Sequence, residues 1–183
     1  MQIPDTLWIK GFNDFAKKNN ATFHLHKNPS LGYHSEYLTC SVIFSYRSKD
    51  VVIKQQGIKS NDEVALSFVV IEYEYENWKN FSLSLSRREF FDKLFSAGSL
   101  KTGSEQFDKS FTISTSDKIL ARKIFGDEQV QELFLGNQFL LFNVQTQNGV
   151  TSVKLKSMEQ KLYSQDELQI LHDEFILLID KLY

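Results

Sequence analysis

The chain is short of cysteine, proline and glycine, and each shortage excludes something. A single cysteine among 183 residues, Cys40, rules out an internal disulfide. It sits inside an apolar strand pattern, where a thiol packs as a small, inert hydrophobe. Two prolines and eight glycines leave no room for a linker or a low-complexity tract. The longest apolar run, Phe175 to Ile179, is far below the roughly 20 residues that cross a bilayer. The N-terminus, MQIPDTLWIKGF, lacks a basic stretch followed by an apolar one, so no signal peptide is read. The expectation is a soluble, cytoplasmic protein without a membrane contact.

An excess of one charge is also missing. The net charge is −2, which gives no bulk case for binding nucleic acid. Residues 1–60 carry eight Lys/Arg against four Asp/Glu, and residues 61–183 thirteen against nineteen. That asymmetry is mild and suits a solvated surface. The phosphate-cradling patterns G-x-x-x-x-G-K-[ST] and G-x-G-x-x-G do not occur. Neither do G-x-S-x-G and C-x-x-C. No cofactor is implied. Cys40 and a distant histidine would form a thiol-enzyme constellation only if folding brought them together.

What the chain does have is phenylalanine, sixteen of them. Phenylalanine packs and carries no reactive group, so the sequence describes a core more fully than a chemistry. Length and an ordinary composition, 42% hydrophobic and 24% charged, fit one domain over residues 1–183. The polar loop around residues 97–106 is the place for a lobe boundary.

Asp5, after Pro4, opens an amphipathic helix through Trp8, Phe12 and Phe15, which ends near Asn19-Asn20. Strand patterns follow at Ala21–Lys27, Glu36–Tyr46, Val51–Ile53, Val64–Tyr75 and Phe81–Leu85. Ser48-Lys49-Asp50 reads as a tight connection. Val64 to Ile71 is apolar on both faces, as in a central strand covered on both sides. Ser86-Arg87-Arg88-Glu89 reads as a capping box, opening a helix through Phe90, Phe91, Leu94 and Phe95 that Gly98 ends. Phe107–Ser114 alternates as a strand. Ser116-Asp117 and Gly126-Asp127 open two short helices. Asn148-Gly149 favours a type I′ turn between strands 138–146 and 150–156. Ser164 and Glu167 form a second capping box, and Leu168, Leu171, Phe175, Leu178, Ile179 and Leu182 line one stripe of the last helix. The sum is α+β: a largely antiparallel sheet of about five to eight strands, with an N-terminal helix, short middle helices and a long C-terminal helix packed on it.

Few residues offer chemistry. His24 and His26 lie two apart on a strand and share a face. With His34 or Glu36 they can contribute to a zinc site, although a solvated edge explains them as well. His172 reads as exposed. Glu72, Glu74 and Glu76 alternate, with Tyr73, Tyr75 and Trp78 beside them. Tyr73, Tyr75, Trp78 and Glu74 can make an aromatic, acidic rim for a sugar or a basic peptide. The alternation equally puts the rings on the core and the acids in water. Arg87 and Arg88, at an expected helix N-terminus, can hold an anion. Lys93 and Arg122-Lys123 make smaller basic spots.

The segment from Phe107 to Asp117, FDKSFTISTSD, followed by Ala121-Arg122, resembles uncharacterised bacterial domain-of-unknown-function families. There a strand of F-x-K-x-F-x-V type precedes an S-x-D helix start and an A-R pair. The resemblance covers residues 107–135 and implies no catalytic residue. Composition rich in Phe, Ile, Asn and Lys suits an AT-rich bacterial genome. Three functions are weighed: a non-enzymatic binding or assembly module, acting on a protein partner or on itself; a carrier of a small apolar or aromatic ligand in a sheet–helix pocket; and a metal-dependent hydrolase using His24 and His26.

Overall fold

The computed structural model describes residues 2–29, 35–60, 63–77, 79–88, 99–136, 139–157 and 159–183. The elements are β1 (Gln2–Pro4), α1 (Asp5–Lys18), β2 (Thr22–Pro29), β3 (Ser35–Tyr46), β4 (Lys49–Ser60), β5 (Glu63–Glu76) and β6 (Ser82–Arg87). They continue as α2 (Glu105–Ser110), β7 (Phe111–Thr115), α3 (Lys118–Phe125), α4 (Glu128–Gly136), β8 (Phe139–Gln147), β9 (Val150–Ser157) and α5 (Gln165–Leu182). The class is α+β, and the strand pairs described below are antiparallel. The chain divides into two compact units, Met1–Tyr73 with Glu159–Asp173, and Glu74–Met158 with Glu174–Tyr183.

In the first unit β2, β3, β4 and β5 form a meander, and β1 pairs with the start of β5. Helix α1 forms because Trp8, Phe12, Phe15 and Ala16 recur on one stripe, and all four are buried. It stops in a Schellman turn. Asn20 takes φ 50°, Asn20 N donates to Lys17 O, and Ala21 N donates to Ala16 O at 2.9 Å. The inner face of the sheet supplies Leu38, Cys40, Val42, Val51, Ile53, Val64, Leu66, Val69, Ile71 and Tyr73 to the same core.

Two expectations about these strands need correction. Strand β4 is much longer than Val51–Ile53, because Gln55 and Gly57 continue its buried face where an apolar pattern would have ended. Gly57 gives way to the Trp8 indole, which a side chain there would meet. Second, β5 is not covered on both faces. Gln55 pairs with Val69 and Gly57 with Leu66, so β5 carries an extra residue in a bulge. Leu66 and Val69 both face the core with two residues between them, which makes the run look two-sided. Ala65 on the other face is exposed.

In the second unit the strand order is β9, β8, β6, β7. The fifth expected strand, β6, therefore joins β7 and β8 rather than continuing the meander from β5. Residues 105–110 are helix, not the start of a strand. Ser104 caps them, its Oγ accepting from Phe107 N at 3.4 Å, and Phe107 packs 4.8 Å from Phe111, at ring centroids. The F-x-K-x-F stretch is thus a helix end joined to a strand. Phe125, Phe134 and Phe142 complete a buried ring cluster with Phe107 and Phe111. Ser86 and Arg87 belong to β6 and Arg88 lies outside helix, so no helix starts at Ser86; Glu89, the other half of the expected capping box, lies outside the described residues. The expected helix through Phe90 to Phe95 lies outside the described residues.

The remaining local signals hold. Asp117 Oδ1 accepts from Ile119 N and Leu120 N, both at 3.0 Å, and Asp127 Oδ1 from Gln129 N at 3.1 Å and Val130 N at 3.3 Å. Asn148 and Gly149 take φ 54° and 79°, as a type I′ turn requires. Ser164 N donates to Glu167 Oε2 at 2.8 Å, and Glu167 N to Ser164 Oγ at 3.2 Å. That is a complete capping box.

Candidate functional site: the outer sheet face of the first unit

Side chains alternate across a strand, so a meander with helices on one face leaves the other to solvent. Here α1 and the first half of α5 lie on the inner face. Trp8 reaches Gln55, and His172 stacks on Phe44 with ring centroids 4.4 Å apart. The outer face is built by register. One row runs Asn28, Tyr37, Ile58, Ala65 across β2, β3, β4 and β5. A second runs Thr22, Ile43, Val52, Glu72, and a third runs His24, Ser41, Lys54, Val70.

The first row is the exceptional one. Tyr37 is 52% exposed and Ile58 45% exposed, although both are large and directly opposite each other. Ala65 beside them is exposed too, while Ile43, Val52 and Val70 are half-buried. Lys54 and Glu72 form an ion pair within this face. The result is a flat apolar strip with charge at one side of it. Such a surface can hold an apolar partner surface.

The register that makes the strip comes from the β3–β4 turn. Arg47 and Ser48 occupy it with φ 49° and 62°, so the turn is two residues long and sits one residue earlier than expected. The Arg47 guanidinium lies 5.6 Å from the Tyr46 ring centroid. Neither residue carries the usual Asn-Gly signal, which is why the pairing of Tyr37 with Ile58 was not legible.

The residues singled out from sequence are scattered. His24 and His26 are both exposed on the outer face of the edge strand β2, opposite Ser41 and Thr39. Glu36 lies opposite Pro29, at the far end of the ladder, and His34 lies outside the described residues. Among the described residues no group of three or more His, Cys, Asp or Glu is placed to hold a metal. Tyr73 is buried in the first unit and Tyr75 in the second, where its ring lies 4.8 Å from that of Tyr183. Glu74, between them, is exposed, as strand alternation requires. Trp78 lies outside the described residues. Burial raises the Tyr75 hydroxyl pKa above its ordinary value, and the nearby Tyr183 adds to this. Arg87 is the last residue of β6 and Arg88 follows it, and the helix they were expected to open lies outside the described residues.

Cys40 is the buried, inert thiol its strand pattern suggested, whereas His172 differs from expectation. Burial pushes the Cys40 thiol up to about 12, so it stays protonated and inert at neutral pH. Its strand neighbours are Leu25 and Gln55, not histidine. His172 is not exposed on a polar face. It packs between Phe15 and Phe44, with Nδ1 2.6 Å from Asp173 Oδ1, because an imidazole can lay its carbon edge on a core while its nitrogen stays wet.

No helix among the described residues is long and apolar enough to cross a membrane. Compared with protein families, curated proteins and solved structures, the chain matches none of them.

Proposed function

We propose that this chain is a non-enzymatic binding and assembly module of a bacterial cytoplasm, and that the outer sheet face of its first unit receives a protein partner. The observation that carries the reading is the exposed pair Tyr37–Ile58, extended by Ala65 into one apolar row. Contiguous exposed apolar surface on a folded domain marks interaction sites, and tyrosine is enriched in them. An apolar partner surface fits the strip, and the Lys54–Glu72 pair gives it a polar rim. Ring-on-ring packing in the second unit supports this reading over a carrier of a small apolar or aromatic ligand. A hydrolase using His24 and His26 needs a third ligand, and Ser41 and Thr39 are what face them. The buried thiol of Cys40 suits a reducing compartment.

Site-specific photo-crosslinking in bacterial cells tests the proposal. A benzophenone side chain at position 37 or 58 should give a discrete protein adduct. The same group at Ile119, which is 84% exposed on α3, should not. The double variant Tyr37→Ser, Ile58→Ser should fold normally and lose the adduct formed from a third reporter at Ala65. Equal adducts at all positions, or none at 37 and 58, would remove the outer face as a partner site.

A further inference from the structure

We infer that two copies of this chain join edge to edge through β2, and that His24 and His26 of both copies together hold one divalent transition-metal ion of the zinc type. Strand β2 ends the strand order of the first unit. Its ladder with β3 runs without a bulge from Thr22 opposite Ile43 to Pro29 opposite Glu36. Folded proteins blunt such edges with bulges, interior prolines or very short strands, and β2 has none of these from Thr22 to Asn28. Phe23 and Leu25, on its inner face, are only half-buried. Among the described residues no hydrogen bond from outside the ladder reaches the β2 backbone. The edge strand of the second unit differs. Ile113 of β7 donates its N–H to Ser99 Oγ and accepts from Leu100 N, both at 3.1 Å. A bare ladder edge is a template for another strand.

The histidines select the strand that fits there. Both rings stand exposed on one face, opposite Ser41 and Thr39. Among the described residues neither has a hydrogen-bond, ion-pair or ring partner. Imidazole is a zinc ligand, but two ligands do not close a shell of four. One chain supplies half a site, and a second copy related by a two-fold axis supplies the same half again. An unrelated strand would cover the edge and leave the shell incomplete. Residues paired across antiparallel strands share a face, so the axis passes through a residue and not between two. Centred on Leu25, the pairing takes in Thr22 to Asn28 and leaves out Pro29, which has no N–H to donate. Leu25 then meets Leu25 of the second copy on the inner face, and Phe23 meets the apolar stem of Lys27. On the outer face His24 meets His26, and His26 meets His24. The four imidazoles stand in two cross-strand pairs, about 5 Å apart within a pair and about 7 Å between pairs, where they can converge on one ion. Edge pairing extends the sheet in its own plane and leaves the Tyr37–Ile58 strip open, so the two surfaces are independent.

Light scattering after size-exclusion chromatography, with calorimetric titration of the full chain by zinc chloride, tests the pairing. Zinc should convert the metal-stripped chain from monomer to dimer, with one ion bound per two chains, and EDTA should reverse the change. His24→Ala and His26→Ala alter exposed side chains, so each should keep the metal-free Tm and lose the zinc-dependent dimer. Thr22 and Asn28 face each other across the axis. In zinc, an equimolar mixture of Thr22→Cys and Asn28→Cys chains should therefore give a mixed disulfide on mild oxidation. Neither chain alone should do so, because copies of the same position lie about 20 Å apart. Cys40 is buried and takes no part. A monomer at saturating zinc, one ion per chain, a dimer that EDTA and both histidine variants leave intact, or a disulfide formed as readily by Thr22→Cys alone would each overturn the assignment.

Discussion

The indole N–H of Trp8 donates to Gln55 Oε1 at 2.9 Å, tying the N-terminal helix to β4 inside the core of the first unit. The same amide donates from Nε2 to Ser67 O at 2.8 Å and to Lys161 O at 3.0 Å. One side chain thus satisfies an indole, a bulge carbonyl and a carbonyl of the segment before α5. Gln55 is 1% exposed, so no water can replace it without rearrangement.

Gln55→Leu should therefore cost at least about 2 kcal/mol, since each buried group left unpaired costs about 1–3 kcal/mol. Urea unfolding reads this as a lower midpoint at unchanged slope. Trp8→Phe added to Gln55→Leu should cost less than it does alone, because the indole donor has already lost its acceptor. A wild-type midpoint for Gln55→Leu would show that the network contributes nothing.

Phe175 is fully buried in the second unit, as its place on the apolar stripe of α5 suggested. Phe175→Ala should cost about 3–5 kcal/mol, the usual range for emptying a buried aromatic site. A typical domain has about 5–15 kcal/mol in all. The expected result is a fall in Tm of many degrees, measured by circular dichroism. An unchanged Tm would mean that the stripe has no packing partner.

Helices and caps were legible because their signals are local. Asp117, Asp127 and the Ser164–Glu167 box each act within four residues, and so does the Asn148-Gly149 turn. The long β4 was not legible, because what keeps Gln55 buried is Trp8, 47 residues away. The β5 bulge was hidden for the same kind of reason: two core-facing residues with two between them mimic a strand apolar on both faces. The expected strand at Phe107 failed because a two-residue alternation cannot be told from one helical turn when a capping serine, Ser104, precedes it. The candidate partner face needed a register that depends on an Arg47-Ser48 turn without glycine.

The capping box of α5 makes a graded test. Ser164→Ala removes the acceptor for Glu167 N and should cost about 0.5–2 kcal/mol. Glu167→Gln keeps an acceptor for Ser164 N but loses the charge that meets Lys161 Nζ at 3.0 Å, so it should cost less. Hydrogen exchange should show faster opening of the first turn of α5 in Ser164→Ala, with the rest of the first unit unaffected. Equal protection in the two variants would mean that the box is not what holds that turn.

Asp127 sets the last expectation, through pH. Its carboxylate accepts from Lys181 Nζ, and that bond, joined by the α4 backbone N–H groups, holds its pKa below the ordinary 3.8 against the opposing effect of burial. A carboxylate whose folded pKa is depressed stabilises the fold above the unfolded value and loses that contribution as pH falls through the folded one. The second unit should therefore weaken between about pH 5 and pH 2. Asp117, lowered chiefly by the Leu120 N–H, acts in the same direction. Asp127→Asn isolates the charge, because asparagine still caps α4 through its carbonyl oxygen while no longer pairing with Lys181 as an anion. At pH 7 the variant should be less stable than the parent, and the gap should close as the pH is lowered toward 2. Denaturant titrations at several pH values measure it. A gap that stays constant with pH would show that Lys181 contributes through packing and not through its charge.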